Sequence, residues 1–272
     1  MAQNYVGSNN VNLLIPNGQF GTRYLGGKDG VKAKYARYMN TKLADVTRCI
    51  FPKEDDVLLD YLKENGLQIE PLWYLPIIPM VLVNGSQGIG TGSTTFIPNY
   101  NPRDIIANIR RLINNESLEP MDPWYKNFKG TIQRIVSRKK SGVTYTVTGT
   151  IDLVDGHVEG DDEDETDVKL LITELPIRKW TQDYHKFVET MEKDGFIKRF
   201  DNGCFNEAVE FTIVLSKRNY NLARQEGLVK KFKLTTSSKQ YHIHPAFVPA
   251  PPYVRHQCCQ YNCYHSFPCQ AS

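Results

Sequence analysis

The stretch that most limits the fold is IEPLWYLPIIPMVLVNG, residues 69–85. It is apolar almost throughout, yet Pro71, Pro76 and Pro79 interrupt it. Proline has no amide hydrogen and its ring clashes with the preceding turn, so a continuous helix is excluded. The pattern predicts an extended, buried passage ending in a turn at Asn84-Gly85. Upstream, EDDVLLDYLKENG (54–66) predicts a short helix, with acids in its first turn and Gly66 past its end.

Beyond residue 100 the pattern changes. Asn101 and Pro102 form an N-cap and first-turn pair, and Ile105, Ile106, Ile109, Leu112 and Ile113 recur at helical spacing. Strand-like segments follow at 130–136, 143–154, 168–175 and 208–216, the first two joined by a turn at Lys140-Ser141-Gly142. A helix is expected from Thr181 to Lys193, with Tyr184, Phe187, Val188 and Met191 on one face and Gly195 beyond it. This mixture predicts an α+β fold. From about Lys239 the character changes again: residues 240–272 hold no Asp, Glu or Lys but four of the six cysteines. This segment is expected to be an irregular tail. Its His256, Cys258, Cys259, Cys263, His265 and Cys269 lack the paired CxxC spacing of common zinc sites, so no metal is assigned to them.

The 272 residues suffice for one large or two modest cores, and no run of about 18 apolar residues is present to span a membrane. MAQNYVGSNN lacks the basic and apolar regions of a signal peptide, so a reducing compartment is expected and the cysteines are not read as a disulfide framework. Charge is unevenly placed. Arg23, Lys28, Lys32, Lys34, Arg37, Lys42 and Arg48 face only Asp29 and Asp45 within 17–48, whereas seven acids crowd into 159–167. A basic segment rich in glycine and tyrosine suits a phosphate backbone, although a solvated loop has the same composition. The acidic block fits an exposed hairpin insertion; it lacks the spacing of an EF-hand loop.

Two constellations could carry chemistry. In Arg37-Tyr38, the phenol is a poor nucleophile near neutral pH unless cations stabilise the phenolate and the oxygens of the attacked phosphate. Arg37 is adjacent, with Lys28 and Lys34 near in sequence, and a guanidinium can grip phosphate through two parallel hydrogen bonds. In NGSQGIGTG (84–92), four glycines surround Ile89. The segment lacks the GxxxxGK[ST] pattern of a nucleotide loop. It fits either a tight turn with a buried isoleucine or a loop presenting Ile89 as a wedge between base pairs.

The order of longer motifs is more specific. YVGSNN (5–10), NLLIPNGQFGTR (12–23), LGGKD (25–29), RY (37–38), EPLWYLPIIPMVLVNGSQGIGTG (70–92), IPNYNPRDI (97–105), YKNFKGTI (125–132) and ITELPIRKWT (172–181) occur in succession. Over residues 1–238 the chain resembles the breakage-reunion core of eukaryotic type IIA DNA topoisomerases, particularly plant versions. The resemblance implies the C-terminal part of a winged-helix domain over 1–98, followed by an α/β tower domain over 99–238, with 239–272 outside the match. It implies that Tyr38 becomes linked to a 5′ DNA phosphate, that Arg37 assists, and that Ile89 intercalates and bends the duplex. Gln19, Arg23 and Lys28 would then lie along the DNA near the cut. GVKAKYA separates Asp29 from Arg37 more widely than is usual in the family and leaves Tyr35 as a rival nucleophile; Ser93 stands where the family usually has Trp.

The implied whole enzyme is an ATP-dependent, homodimeric, nuclear isomerase that cuts double-stranded DNA, passes a second duplex and reseals. Its ATP and Mg2+ would be bound by domains that these residues do not match. The chain is therefore expected to be a piece of a longer enzyme, inactive by itself. Two alternatives stand beside that reading: a module that binds and bends duplex DNA without cutting it, and a gene fragment without function.

Overall fold

A computed structural model describes residues 1–28, 30, 38–90, 93–136, 143–158, 167–203 and 208–240. Helices and strands mix as the α+β reading requires. Strand β1 (Leu14–Asn17) pairs antiparallel with β2 (Asn40–Leu43), followed by α1 (Asp45–Ile50) and a 3-10 turn over Lys53–Leu58. Next come a hairpin of β3 (Tyr61–Glu64) and β4 (Leu67–Pro71), the short α2 (Met80–Val83), and a second hairpin of β5 (Ser86–Gly90) and β6 (Ser93–Ile97). Helix α3 spans Pro102–Ile113.

The remaining elements are β7 (Thr131–Val136), β8 (Val143–Thr148), β9 (Thr150–Val158), β10 (Asp167–Glu174), α4 (Thr181–Lys193), β11 (Arg199–Asn202), β12 (Phe211–Ser216), α5 (Lys217–Glu226), α6 (Leu228–Lys231) and β13 (Thr235–Gln240). They build two antiparallel sheets, in the orders β11-β12-β10-β9 and β13-β8-β7.

The main core lies where α4 covers the four-stranded sheet. Tyr184, Val188 and Met191 fall on one helical face and meet Leu170, Ile172, Phe211, Ile213 and Leu215. In β10 the period-two alternation buries Leu170, Ile172 and Glu174 in turn, so a carboxylate occupies what would otherwise be a third apolar position. A second cluster joins Leu82, Val83 and Ile97 to Tyr100 and Ile105. Helix α3 thus packs against residues on the N-terminal side of position 98. Among the described residues, no helix is long and apolar enough to cross a membrane.

Most sequence expectations match these elements. Asn101 caps α3 by accepting from the Arg103 amide at 3.0 Å, and α4 runs from Thr181 to Lys193 as its spacing predicts. The expected strand over 143–154 is divided at Gly149 into β8 and β9, which belong to different sheets. Of the expected helix over 54–66, only the 3-10 turn over Lys53–Leu58 forms, with its acids in the first turn; from Tyr61 the chain is a strand instead. Asn65 and Gly66 adopt φ of 51° and 82°, and two consecutive left-handed residues form the tight turn of a β-hairpin rather than a helix end.

The proline-rich run is non-helical up to Pro79, but only part of it is buried. Leu72, Tyr74, Leu75 and Ile77 are exposed, whereas Leu82 and Val83 reach the core. Residues 159–166 and the tail from 241 onward lie outside the described residues, as does the turn at 140–142. The strands flanking the acidic block, β9 and β10, are antiparallel neighbours, as a hairpin insertion requires.

Asparagines near the N-terminus or facing it act as cross-links, Asn10, Asn12, Asn84 and Asn99 among them. Asn10 Nδ2 donates toward the Val83, Tyr100 and Trp124 carbonyls at 2.9, 3.1 and 3.0 Å, and its Oδ1 accepts from the Lys126 amide at 2.9 Å. Asn84 exchanges two 2.9 Å bonds with the Val11 backbone, Asn99 donates to Ser8 O at 2.7 Å, and Asn12 donates to Ala2 O at 2.7 Å. These side chains satisfy backbone groups that no strand ladder pairs.

Candidate functional site

The β1–β2 ladder positions the candidate nucleophile. Asn17 pairs with Asn40, so the loop between them begins and ends at one place, with Gly18 and Gln19 leaving and Tyr38 and Met39 returning. At Gly18 a Cβ would stand 2.7 Å from Tyr38 O and 3.2 Å from Met39 Cα; only glycine lets the two ends approach so closely. Tyr38 is 69% exposed, and Gln19 and Lys28 are exposed on the same loop. Arg37 and Tyr35 lie outside the described residues.

Arg23 departs from the sequence expectation, which puts it beside Gln19 and Lys28 along DNA. It is 5% exposed and points inward. Its guanidinium pairs with the Glu174 carboxylate and donates to Leu175 O at 3.2 Å. Glu174 is 1% exposed, and it also accepts from the Lys129 amide at 3.0 Å and the Leu175 amide at 2.9 Å. The two charges satisfy each other inside the protein, as buried ions must. The guanidinium is thereby committed to anchoring the loop from beneath.

Trp180 completes that anchor. A Cβ at Gly26, where φ is +63°, would overlap the Trp180 indole, and Gln182 N donates to Tyr24 O at 3.0 Å. Tyr5 meets the Trp180 ring edge-on at 5.9 Å. Sequence reasoning gives no role to Glu174, Trp180 or Gly26, although all three sit within its ordered motifs. The available signal is a glutamate at an inward position of a strand with apolar residues at 170 and 172.

Ile89 belongs to β5 and pairs through its backbone with Thr94, near the end of the β5–β6 hairpin. The hairpin's base is held by Arg178, whose guanidinium carbon lies 3.8 Å from the centroid of the Phe96 ring. The adjacent Lys179 turns away and donates to Lys233 O at 2.7 Å; burial, with the nearby Lys233 ammonium, lowers its pKa to about 8. Among the described residues no three His, Cys, Asp or Glu side chains are grouped to hold a metal ion. Together the described parts offer an exposed phenol on an anchored basic loop and, separately, a glycine-rich hairpin.

The family model for the DNA gyrase/topoisomerase IV A-subunit matches residues 1–247. The chain belongs to that family. It is 56% identical over 247 residues to a DNA topoisomerase 2 of Arabidopsis thaliana, covering 90% of this chain and 16% of the relative. It is 52% identical over 250 residues to DNA topoisomerase 2 of Pisum sativum, again covering 90% and 16%. Among solved structures it is similar to the DNA-binding, cleavage and re-ligation domain of Plasmodium falciparum topoisomerase II, with a TM-score of 0.72 and 48% identity. That match covers 88% of this chain and 30% of the other. The chain therefore spans 16% of the length of these two curated topoisomerases.

Proposed function

We propose that this chain is the strand-cleaving part of a type IIA DNA topoisomerase, with Tyr38 as its nucleophile. The observation that carries the reading is the exposed Tyr38 at the mouth of a loop pinned by Gly18, in a chain of the gyrase/topoisomerase IV A-subunit family. The Tyr38 phenolate attacks a DNA phosphorus, a P–O bond forms and the P–O3′ bond breaks. The 3′ oxygen leaves with a proton and the 5′ phosphate stays on the tyrosine. The new ester is close in energy to the old one, so return of the 3′ hydroxyl reseals the strand without external energy. Arg37 and Lys28 neutralise the phosphate oxygens, Gln19 borders the duplex, and Ile89 wedges into it.

In this reading residues 1–98 complete a winged-helix domain and 99–238 form the tower. The whole enzyme is a nuclear homodimer acting on double-stranded DNA, with ATP and Mg2+ held by domains outside the described residues. By itself the chain binds DNA but leaves it intact.

The test is an adduct assay with nicked duplex and Mg2+, with and without a supplied metal-binding domain from a relative. The expected result is no adduct alone, and an adduct in the mixture that disappears with Tyr38→Phe. An adduct that survived this change and was lost with Tyr35→Phe would transfer the role to Tyr35.

A further inference from the structure

One short segment touches both halves of the candidate site. At its ends, Glu174 takes Arg23, the Trp180 ring covers Gly26, and Gln182 N donates to Tyr24 O, so three contacts hold the loop that delivers Tyr38. In its middle Arg178 reaches the hairpin instead. Arg178 has φ of 71°, a conformation that side-chain-bearing residues adopt only when their surroundings impose it. That turn lays the guanidinium 3.8 Å from the Phe96 ring centroid, while its neighbour Lys179 is directed at Lys233 O. Phe96 pairs with Gln87, two rungs before the pair Ile89 and Thr94, which is about 7 Å along the ribbon.

We propose that Arg178 is a positioning residue: it fixes the hairpin bearing Ile89 relative to the loop bearing Tyr38, so that the bend in DNA forms in register with the attacking phenol. The inference rests on the reading in the preceding subsection. Arg178 touches no reacting atom. Its effect passes through the Phe96 ring, and a planar cation stacked on an aromatic face resists sliding more than a flexible ammonium does.

The experiment uses the full 272-residue chain. Hydrogen exchange of amides 86–97 without DNA is compared for the unaltered chain, Arg178→Ala, Arg178→Lys, Phe96→Leu and the double variant. Fluorescence-transfer bending of a duplex is then measured for the same set and for Ile89→Ala. Arg178→Ala is expected to speed hairpin exchange by about 2- to 30-fold, with exchange in α4 unchanged. Arg178→Lys should fall between. Arg178→Ala should also reduce the bent population, and adding Phe96→Leu to it should cause little further change.

Unaltered hairpin exchange, or fully additive effects of Arg178→Ala and Phe96→Leu, would overturn the proposal. So would a loss confined to DNA affinity with a shallower salt dependence, which marks a direct phosphate contact. If Ile89→Ala leaves bending unchanged, the wedge reading fails instead. Exchange at 86–97 then still decides whether Arg178 holds the hairpin.

Discussion

Arg23→Ala separates an internal anchor from a DNA contact. In the folded chain Arg23 is 5% exposed and its partner Glu174 1% exposed, so the alanine variant leaves a carboxylate in the interior with its countercharge removed. Glu174 keeps the Lys129 and Leu175 amides, which limits the loss but does not replace a cation. Removing one partner of a buried pair costs about 3–5 kcal/mol. That is a large share of the roughly 5–15 kcal/mol by which domains are stable. With a urea slope of about 2–3 kcal/mol per molar, the unfolding midpoint should fall by about 1–2.5 M.

The assay is urea unfolding followed by circular dichroism, paired with DNA affinity across a salt series at low temperature. An arginine gripping phosphate would give the opposite pattern. Stability would change by under about 0.5 kcal/mol, and the slope of log affinity against log salt would shrink by about 0.9. Near-unchanged stability with a reduced salt slope would refute the assignment of Arg23 to the interior.

Gly26→Ala introduces a methyl group where the Trp180 ring already lies, at a φ of +63°, and should lower stability by about 1–3 kcal/mol. Trp180→Leu should recover part of that loss in the double variant, as thermal unfolding would reveal. Asn10→Ala removes links to three carbonyls and one amide and is expected to cost about 2–4 kcal/mol by urea unfolding. Lys179 has a folded pKa of about 8, below its ordinary value of 10.5, because burial and Lys233 disfavour the ammonium. Between those values the unfolded chain binds the extra proton, so this group makes stability rise with pH from about 8 toward 10. The rise should be smaller in Lys179→Met when urea midpoints are compared at pH 7.5 and 9.5.

Periodicity reveals the elements that bury a single apolar face. Helix α4 is legible because Tyr184, Val188 and Met191 fall on one side, and α3 because Asn101 and Pro102 mark its start. The 54–66 segment misleads because Gly66 fits both a helix end and a hairpin turn. Asn65 before it is the deciding residue, since asparagine tolerates the left-handed region. The 69–85 run looks buried throughout because hydropathy does not say which apolar side chains find a neighbour. Pro76 and Pro79 fix the backbone without choosing a face for Leu72, Tyr74 or Ile77.

At the candidate site the ordered motifs single out Tyr38, Gln19, Lys28 and Ile89. Which basic side chain turns inward is beyond them. Arg23 and Lys28 are both basic residues on one loop, and only the inward-facing Glu174, distant in sequence, distinguishes them. Arg178 is similar: its role depends on a positive φ that no residue pattern in PIRKW announces.

The asparagine cross-links also constrain how the chain is made. Asn10 is bonded to Trp124 and Lys126, 114 and 116 residues further on, so synthesis must run far past Asn10 before those bonds can close. At about 5–20 residues per second the segment around Asn10 waits on the order of 6–25 s for its partners. Substitutions at Asn10 should therefore leave the early steps of folding unchanged and mainly speed the unfolding of the finished molecule.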